Sequence, residues 1–159
     1  MKAALFFIAL GLASQLACET ENATTAIVDN HDTAVVYRAW WVTTYFDDPV
    51  GAGTSSSSLR SVPATGTAYA LLAPGWDPMS STPPTSLAVR QSRTALSASR
   101  GEELHITVAD DAFFGSCTAP LSADDRDFIA ERIFPGELAG FTYDPTTCLF
   151  QPAPVDAGH

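Results

Sequence analysis

The stretch EELHITVA, residues 102–109, decides the fold of this chain. In an extended strand, Leu104, Ile106 and Val108 lie on one face, with Glu102 at the start of the same row. Residues 103, 105, 107 and 109 lie on the other face. This period of two predicts a half-buried antiparallel β-strand that ends at the acidic pair 110–111.

Other segments place strand-forming residues between turn signals. Residues 33–46 are rich in Val, Thr, Tyr and Trp and apolar on both faces, which predicts a central strand. Shorter strands are predicted at 67–73, 87–91 and 94–98, with loops of small residues or prolines at 51–58 and 74–86. This pattern predicts a mostly β fold, an antiparallel immunoglobulin-like β-sandwich over residues 33–150.

One short helix is predicted near the C-terminus, over residues 122–134. Ser122 is a helix-capping residue, and Asp125 follows at the spacing of a capping box. Pro135-Gly136 ends the helix. Its buried stripe is predicted to be Phe128, Ile129 and Ile133. Residues 151–159 are predicted to form a disordered tail.

Cys117 and Cys148 bracket this helix and are predicted to form a disulfide. The alternatives are a metal site or a reactive thiol. A zinc site would need further Cys or His ligands, and apart from the pair itself the sequence has none between residues 106 and 158. A disulfide that closes this loop would reinforce a segment whose own apolar stripe is modest.

The N-terminus reads as an export signal. Residues 1–17 begin with Met1-Lys2, continue with a short apolar run and end in small residues. The apolar run is too short to span a bilayer as a helix, which takes about 20 residues. Residues 18–32 are mostly polar and are predicted to be a tether that precedes the sandwich domain.

Ala17-Cys18 resembles the processing site of bacterial lipoproteins, in which the cysteine thiol is acylated after cleavage. Gln15 departs from that pattern, because an aliphatic residue is usual there, so simple secretion or a soluble periplasmic location is the alternative. With this signal the chain resembles cell-envelope lipoproteins of Gram-negative bacteria. The resemblance implies a lipid anchor in a membrane leaflet and no particular activity.

The charge balance narrows the possible partners. The chain has 8 Lys+Arg against 18 Asp+Glu, a formal net charge of -10. Such a surface repels phosphate backbones, which argues against nucleic-acid binding. It also repels anionic lipid head groups, so membrane attachment is expected to come from acylation.

Residues 96–108 resemble the strand-turn-strand of immunoglobulin-like and cupredoxin-like sandwiches. The copper site of cupredoxins does not carry over, because it needs two histidines beside a cysteine and no histidine closely follows Cys117. His105 shares a strand face with Glu103 and could serve a small hydrolase. An ordinary exposed histidine is the simpler interpretation, and no nucleophile elbow or phosphate loop occurs.

Two acidic pairs end predicted strands: Asp47-Asp48 and Asp110-Asp111. If both pairs lay at one end of the sandwich, their four carboxylates could bind calcium, which takes six to eight oxygen ligands. Turn formation and a solvated acidic rim are the alternative. No other cofactor is expected.

Trp76 lies in a Pro-Gly-Trp-Asp-Pro loop. It either folds back onto the core or is an exposed anchor for an envelope protein or a glycan. The function predicted from these features is a non-catalytic binding or structural module of the cell envelope. The alternatives are a calcium-stabilised adhesion-type domain and a small secreted hydrolase.

Overall fold

The computed structural model describes residues 23–154, and their architecture is mostly β. In chain order the strands are β1 Thr24–Asn30, β2 Val35–Trp41, β3 Thr44–Phe46, β4 Leu59–Ser61, β5 Ala64–Gly66, β6 Ala68–Ala73, β7 Ala88–Ser92, β8 Leu96–Ala98, β9 Glu103–Val108, β10 Phe113–Phe114, β11 Phe141–Asp144 and β12 Leu149–Pro152. The helix α1 spans Ala123–Phe128, and a π-helical turn follows at Ile129–Ile133.

Two sheets form the sandwich. A five-stranded sheet has the order β10-β7-β6-β2-β3, and a three-stranded sheet has the order β4-β1-β9. Two small two-stranded antiparallel sheets, β5-β8 and β11-β12, complete the arrangement. The predicted β-sandwich with one short helix and one disulfide is confirmed. The pairing is not antiparallel throughout, since β1 and β9 run parallel, with Ile27 opposite His105.

Strand β6 lies at the centre of the five-stranded sheet, and all six of its residues are buried. A strand that is apolar on both faces must be covered on both faces. Leu72 belongs to the core between the two sheets, which we call the inner core. Leu71 belongs to a second core on the other side of the sheet, which we call the outer core.

The inner core joins the two sheets of the sandwich. Val28 from β1 and Ile106 from β9 meet Val36 and Trp41 from β2, all almost inaccessible to solvent. The indole N–H of Trp41 donates to the backbone oxygen of Gly66 at 3.1 Å, so its one polar atom is satisfied. Fully burying a side chain such as Val28 or Ile106 contributes about 1.5–3 kcal/mol relative to leaving it exposed.

The C-terminal segment covers the outer core. Ile129, Ile133 and Phe134 from the helical segment and Phe150 from β12 pack against Leu71. Strand β12 is tied to the sheet by reciprocal backbone hydrogen bonds between Leu87 and Phe150, at 3.0 and 2.7 Å. The sandwich therefore carries a third layer.

Residues 33–46 form a hairpin and not the single central strand that was predicted. Strands β2 and β3 pair around a two-residue turn at Val42-Thr43, with Trp41 opposite Thr44. Only Val42 in this turn has a positive φ, 54°. Turns of this geometry normally place glycine at that position, so a Val-Thr pair gives no turn signal in the sequence.

The predicted tether is wrong for residues 24–30, which form β1 in the middle of its sheet. Thr24 and Asn30 are polar but fully buried. The Thr24 hydroxyl donates to the Ser99 backbone oxygen at 2.6 Å, and the Asn30 amide donates to the backbone oxygens of Ala34 and Val50 at 2.8 and 2.9 Å. Because these buried polar groups are hydrogen-bonded, the strand can contain polar residues, and its sequence resembles that of a polar linker.

The predicted helix over 122–134 is confirmed as α1 and the π-helical turn. The Ser122 hydroxyl accepts from the backbone N–H of Asp125 at 3.1 Å, as the capping pattern predicts. The buried stripe is confirmed for Ile129 and Ile133 but not for Phe128, which is 49% exposed. No helix between residues 23 and 154 combines the length and hydropathy needed to cross a membrane.

The C-terminal boundary also differs from expectation. Gln151 and Pro152 belong to β12, so the sandwich extends beyond residue 150. The remainder of the predicted tail from residue 155 lies outside the described residues, as do the predicted signal at 1–17 and Cys18.

The predicted disulfide between Cys117 and Cys148 is confirmed, with Cα atoms 5.5 Å apart. Cys117 follows β10 at one edge of the five-stranded sheet, and Cys148 immediately precedes β12 in the third layer. The bond therefore ties the third layer to the sandwich.

Replacing both cysteines, Cys117→Ala with Cys148→Ala, is expected to lower the free energy of unfolding. A separation of 31 residues corresponds to about 3–4 kcal/mol in the chain-entropy account. Urea unfolding followed by circular dichroism measures the loss. Reductant should reproduce it in the wild-type protein and have no effect on the variant. A loss below about 1 kcal/mol would show that the third layer holds without the bond.

Candidate functional site

Three aromatic rings line a groove where the third layer meets the five-stranded sheet. The ring centroids of Trp40 and Tyr69 are 5.8 Å apart, and those of Tyr69 and Phe128 are 6.5 Å apart. Each pair is tilted by 52°. We call this feature, of about 270 Å³, the aromatic groove; it is lined mainly by Trp40, Val42, Thr67, Tyr69, Phe128 and Ile133.

Strand register and helix geometry bring the three rings together. Trp40 on β2 is directly opposite Tyr69 on β6 in the antiparallel ladder. Phe128 ends α1, just where the π-helical turn begins. The wider turn directs Ile129 and Ile133 into the outer core and leaves Phe128 half-exposed over Tyr69. Helical irregularities of this kind are frequent at functional sites.

The rim of the groove holds a strained backbone position. Val42 has a positive φ of 54°, which is an outlier for a β-branched residue. Its side chain lies over Gly66, where an added Cβ would come within 2.7 Å of Val42 Cγ2. A side chain at Gly66 would therefore require Val42 to move.

The groove itself carries no charged residue. Burial, together with the negative charge of Asp125, raises the pKa of the Tyr69 phenol, although hydrogen bonding with Thr67 opposes this. Tyr69 is therefore neutral near pH 7. The negative charge of Asp125, which is not part of the lining, contributes to the electrostatic environment of the groove. The other polar groups on side chains of the lining are the hydroxyls of Thr65 and Thr67 and the indole N–H of Trp40.

The opposite, solvent-facing side of the sandwich carries a histidine clamp, which we define as Ser55, Asp29, His105 and Glu103. His105 Nδ1 is 2.5 Å from Asp29 Oδ2, and His105 Nε2 is 2.8 Å from Glu103 Oε1. The Ser55 hydroxyl donates to Asp29 Oδ1 at 2.5 Å. As predicted, His105 faces outward beside Glu103, and its side chain is 49% exposed.

The contacts of the clamp shift the pKa values of His105 and Asp29. Hydrogen bonds to Asp29 and then Glu103 raise the pKa of His105. Burial favours the neutral form of Asp29, but its hydrogen bonds with Ser55 and His105 hold its pKa below the usual value. Both ring nitrogens face carboxylates, so neither is free to take a proton from a substrate while these contacts hold. The serine bonds the aspartate and not the histidine, unlike a nucleophile–base pair.

The two acidic pairs lie at opposite edges of the five-stranded sheet. Asp47-Asp48 follows β3 at one edge, and Asp110-Asp111 precedes β10 at the other. Asp110 Oδ1 is 3.3 Å from Arg90 Nη2, so a cation already neutralises it. Within residues 23–154 no group of three or more His, Cys, Asp or Glu side chains is placed to hold a metal ion. The predicted convergence of four carboxylates is therefore not found.

Trp76 folds back onto the sheet. Its ring meets Tyr37 edge to face at a centroid distance of 5.2 Å, and its indole N–H donates to the Thr82 backbone oxygen at 2.8 Å. This is the first of the two arrangements expected for Trp76. Its use as a ligand-binding residue stays a prediction.

The fold and the aromatic groove together define a disulfide-linked β-sandwich domain with a third layer and an open aromatic site. The chain was compared with protein-family models, curated proteins and solved structures, and none matches. The function must therefore be argued from the site itself.

Sequence reasoning missed the aromatic groove. It assigned Phe128 to the buried stripe of the helix, treated Trp40 only as part of the strand predicted at 33–46, and did not single out Tyr69. The one available signal was that residues 33–46 are apolar on both faces. Packing against a single face of the sheet would not bury all of these residues. Which aromatic rings meet depends on the hairpin register and on the π-helical turn, neither of which has a sequence signature.

The histidine clamp predicts how stability depends on pH. The pKa of His105 is raised on folding, so the clamp stabilises the protein fully below the unfolded value of about 6.5. This contribution is lost as the pH rises through the higher folded-state pKa. His105→Gln should therefore flatten the decline of the urea midpoint on going from pH 6 to pH 9.

The matched control for this measurement is His31→Gln, which removes an exposed imidazole near the same aspartate. It should keep the wild-type pH profile. If His105→Gln keeps the wild-type decline, or if stability rises with pH over this range, the clamp has no part in it.

Proposed function

We propose that this protein is an exported, lipid-anchored, non-catalytic binding domain of the bacterial cell envelope. Its ligand or partner binds in the aromatic groove. The observation that carries the proposal is the pair of ring contacts of Tyr69, with Trp40 at 5.8 Å and Phe128 at 6.5 Å, in a groove open to solvent.

The groove has the chemical character of a recognition site. Ligand sites are concave and mostly apolar, with a few polar groups that orient the ligand. Leaving a phenylalanine ring 49% exposed forgoes burial that would stabilise the fold. Aromatic side chains also provide large contact areas with little loss of conformational freedom on binding. These properties support binding rather than packing as the role of Phe128.

The non-catalytic character is supported by the histidine clamp. A hydrolase built around His105 would need a free ring nitrogen beside a nucleophile. Both nitrogens instead face carboxylates at 2.5 and 2.8 Å. Ser55, the nearest hydroxyl of the clamp, donates to Asp29.

The compartment is supported by cysteine usage. The Cys117–Cys148 bond joins two of the three cysteines, as expected outside the reducing cytosol. The remaining one, Cys18, stands where a bacterial lipoprotein would be acylated. Each buried methylene of an acyl chain contributes about 0.8 kcal/mol to membrane binding, so two or three chains anchor firmly.

Expression in a Gram-negative host is expected to give a mature chain that begins at Cys18 and carries acyl chains. Intact-mass spectrometry would show the added lipid and the loss of two hydrogens for the disulfide, and the protein would sediment with membranes. Cys18→Ser should abolish the acyl mass and release the protein from membranes.

The Cys117→Ala and Cys148→Ala double variant is the control, because it removes thiols without touching the acylation site. It should keep the acyl mass. An unacylated wild-type chain, or one that still begins at Met1, would contradict the lipid-anchor proposal.

Binding at the groove can be mapped by NMR with the soluble Cys18→Ser protein. A panel of small cations, carboxylates, monosaccharides and short alcohols should contain at least one class that shifts the Trp40 indole N–H and the amides of residues 65–69. Phe128→Ser should abolish these shifts, since it removes a half-exposed wall without opening the core.

Phe114→Ser is the matched control for this experiment. Phe114 is 36% exposed and lies on β10, which forms the edge of the sheet farthest from β3. It should leave the shifts intact. If no member of the panel shifts groove resonances, or if shifts survive in Phe128→Ser, the groove is not the binding site.

A further inference from the structure

We propose that the aromatic groove recognises the quaternary ammonium group of a small soluble cation, of which choline is the simplest probe. This inference rests on the proposed function, because it names the ligand class for the same groove.

The arrangement of the rings suits a rounded cation. The faces of aromatic rings are negatively polarised, and a cation within about 6 Å of a ring centroid is attracted to the face. Trp40 and Phe128 flank Tyr69 with centroids at 5.8 and 6.5 Å, each tilted by 52° to it. The 52° tilts mean that the rings do not form a flat stacking platform, and all three residues line one groove. We expect a trimethylammonium group in the groove to contact more than one ring.

The polar lining argues for this cation over a sugar. Sugars are recognised by several directed hydrogen bonds in addition to ring stacking. Here the lining side chains offer the Tyr69 phenol, the Trp40 indole N–H and the hydroxyls of Thr65 and Thr67, with no carboxylate, side-chain amide or guanidinium. A quaternary ammonium has no N–H group and therefore needs no hydrogen-bond acceptor. Burying it therefore leaves no polar group of the ammonium itself unpaired.

Charge also favours a cation. The first turn of α1 carries Asp124 and Asp125, and the charge of Asp125 reaches Tyr69. Arg126 on the same helix stacks its guanidinium on the Tyr143 ring, which is not part of the groove lining, at 4.0 Å from the centroid. The net charge of the chain is -10, which draws cations towards the surface.

The same charges distinguish a free cation from a phosphatidylcholine head group. In the lipid, a negatively charged phosphate lies two carbons from the ammonium, and the net charge of -10 disfavours its approach to the protein surface. The groove has a volume of about 270 Å³, just below the usual range of small-molecule sites. This volume suits an ammonium group that carries only short substituents. Both considerations favour a free ligand.

The test is an NMR titration of the Cys18→Ser protein at constant ionic strength with choline, tetramethylammonium and 3,3-dimethylbutan-1-ol. The alcohol has nearly the shape of choline but a carbon in place of the charged nitrogen. Both cations are expected to shift the Trp40 indole N–H and to bind at least tenfold more tightly than the alcohol. Equal affinity for choline and the alcohol would overturn the cation proposal.

Variants at Phe128 separate a π contribution from simple apolar contact. Phe128→Leu keeps an apolar side chain and should weaken choline binding at least fivefold, whereas Phe128→Tyr should keep it. Phe114→Leu, at an exposed phenylalanine on β10, is the matched control and should bind like wild type. Thermal melting confirms that each variant is folded. Wild-type affinity in Phe128→Leu would also overturn the proposal.

Phosphatidylcholine vesicles form the last arm of the experiment. Binding to vesicles in the absence of binding to free choline would overturn the assignment to a soluble ligand. If choline fails but another panel member shifts the groove, only this inference falls. If no panel member shifts it, the proposed function falls as well.

Discussion

The burial of β6 on both faces is the constraint on which the rest of this structure depends. Five of the six residues of β6 are at most 1% exposed and Tyr69 is 9% exposed, and the strand lies at the centre of the five-stranded sheet. A two-layer sandwich would cover only the face that carries Leu72. The face that carries Leu71 requires another layer, and the segment from α1 to β12 supplies it.

The third layer is short, and this explains both the disulfide and the aromatic groove. One helix of six residues, a π-helical turn and a two-stranded sheet do not cover the whole outer face of the sheet. The Cys117–Cys148 bond ties one side of the layer down. On another side the coverage ends at Phe128, and Trp40 and Tyr69 line the resulting gap. The groove is thus the uncovered part of a face that the fold must otherwise bury.

The success of sequence reasoning followed the strength of each local signal. Residues 102–109 were predicted correctly as a half-buried strand, because strict alternation reports one buried face directly. The prediction that this strand is antiparallel is wrong, since β9 pairs in parallel with β1. The helix start was predicted because the Ser122 hydroxyl caps the backbone N–H of Asp125, three residues further on, which is a local interaction. Residues 24–30 were mistaken for a tether, since Thr24 and Asn30 are buried through hydrogen bonds to distant segments. Apolar content alone does not reveal such residues. The turn at Val42-Thr43 was missed because its residues are typical of strands.

From the sequence alone came the β-rich class, the sandwich, the helix cap and the pairing of the two C-terminal cysteines. These follow from side-chain periodicity, local capping and the count of available thiols, which need no knowledge of distant neighbours. Tertiary structure decided the place of β1, the third layer and the meeting of Trp40, Tyr69 and Phe128. Periodicity shows which face of a strand is buried but not what covers it. The rings are joined by strand register and by one irregular helical turn, and these are set only when the layers pack.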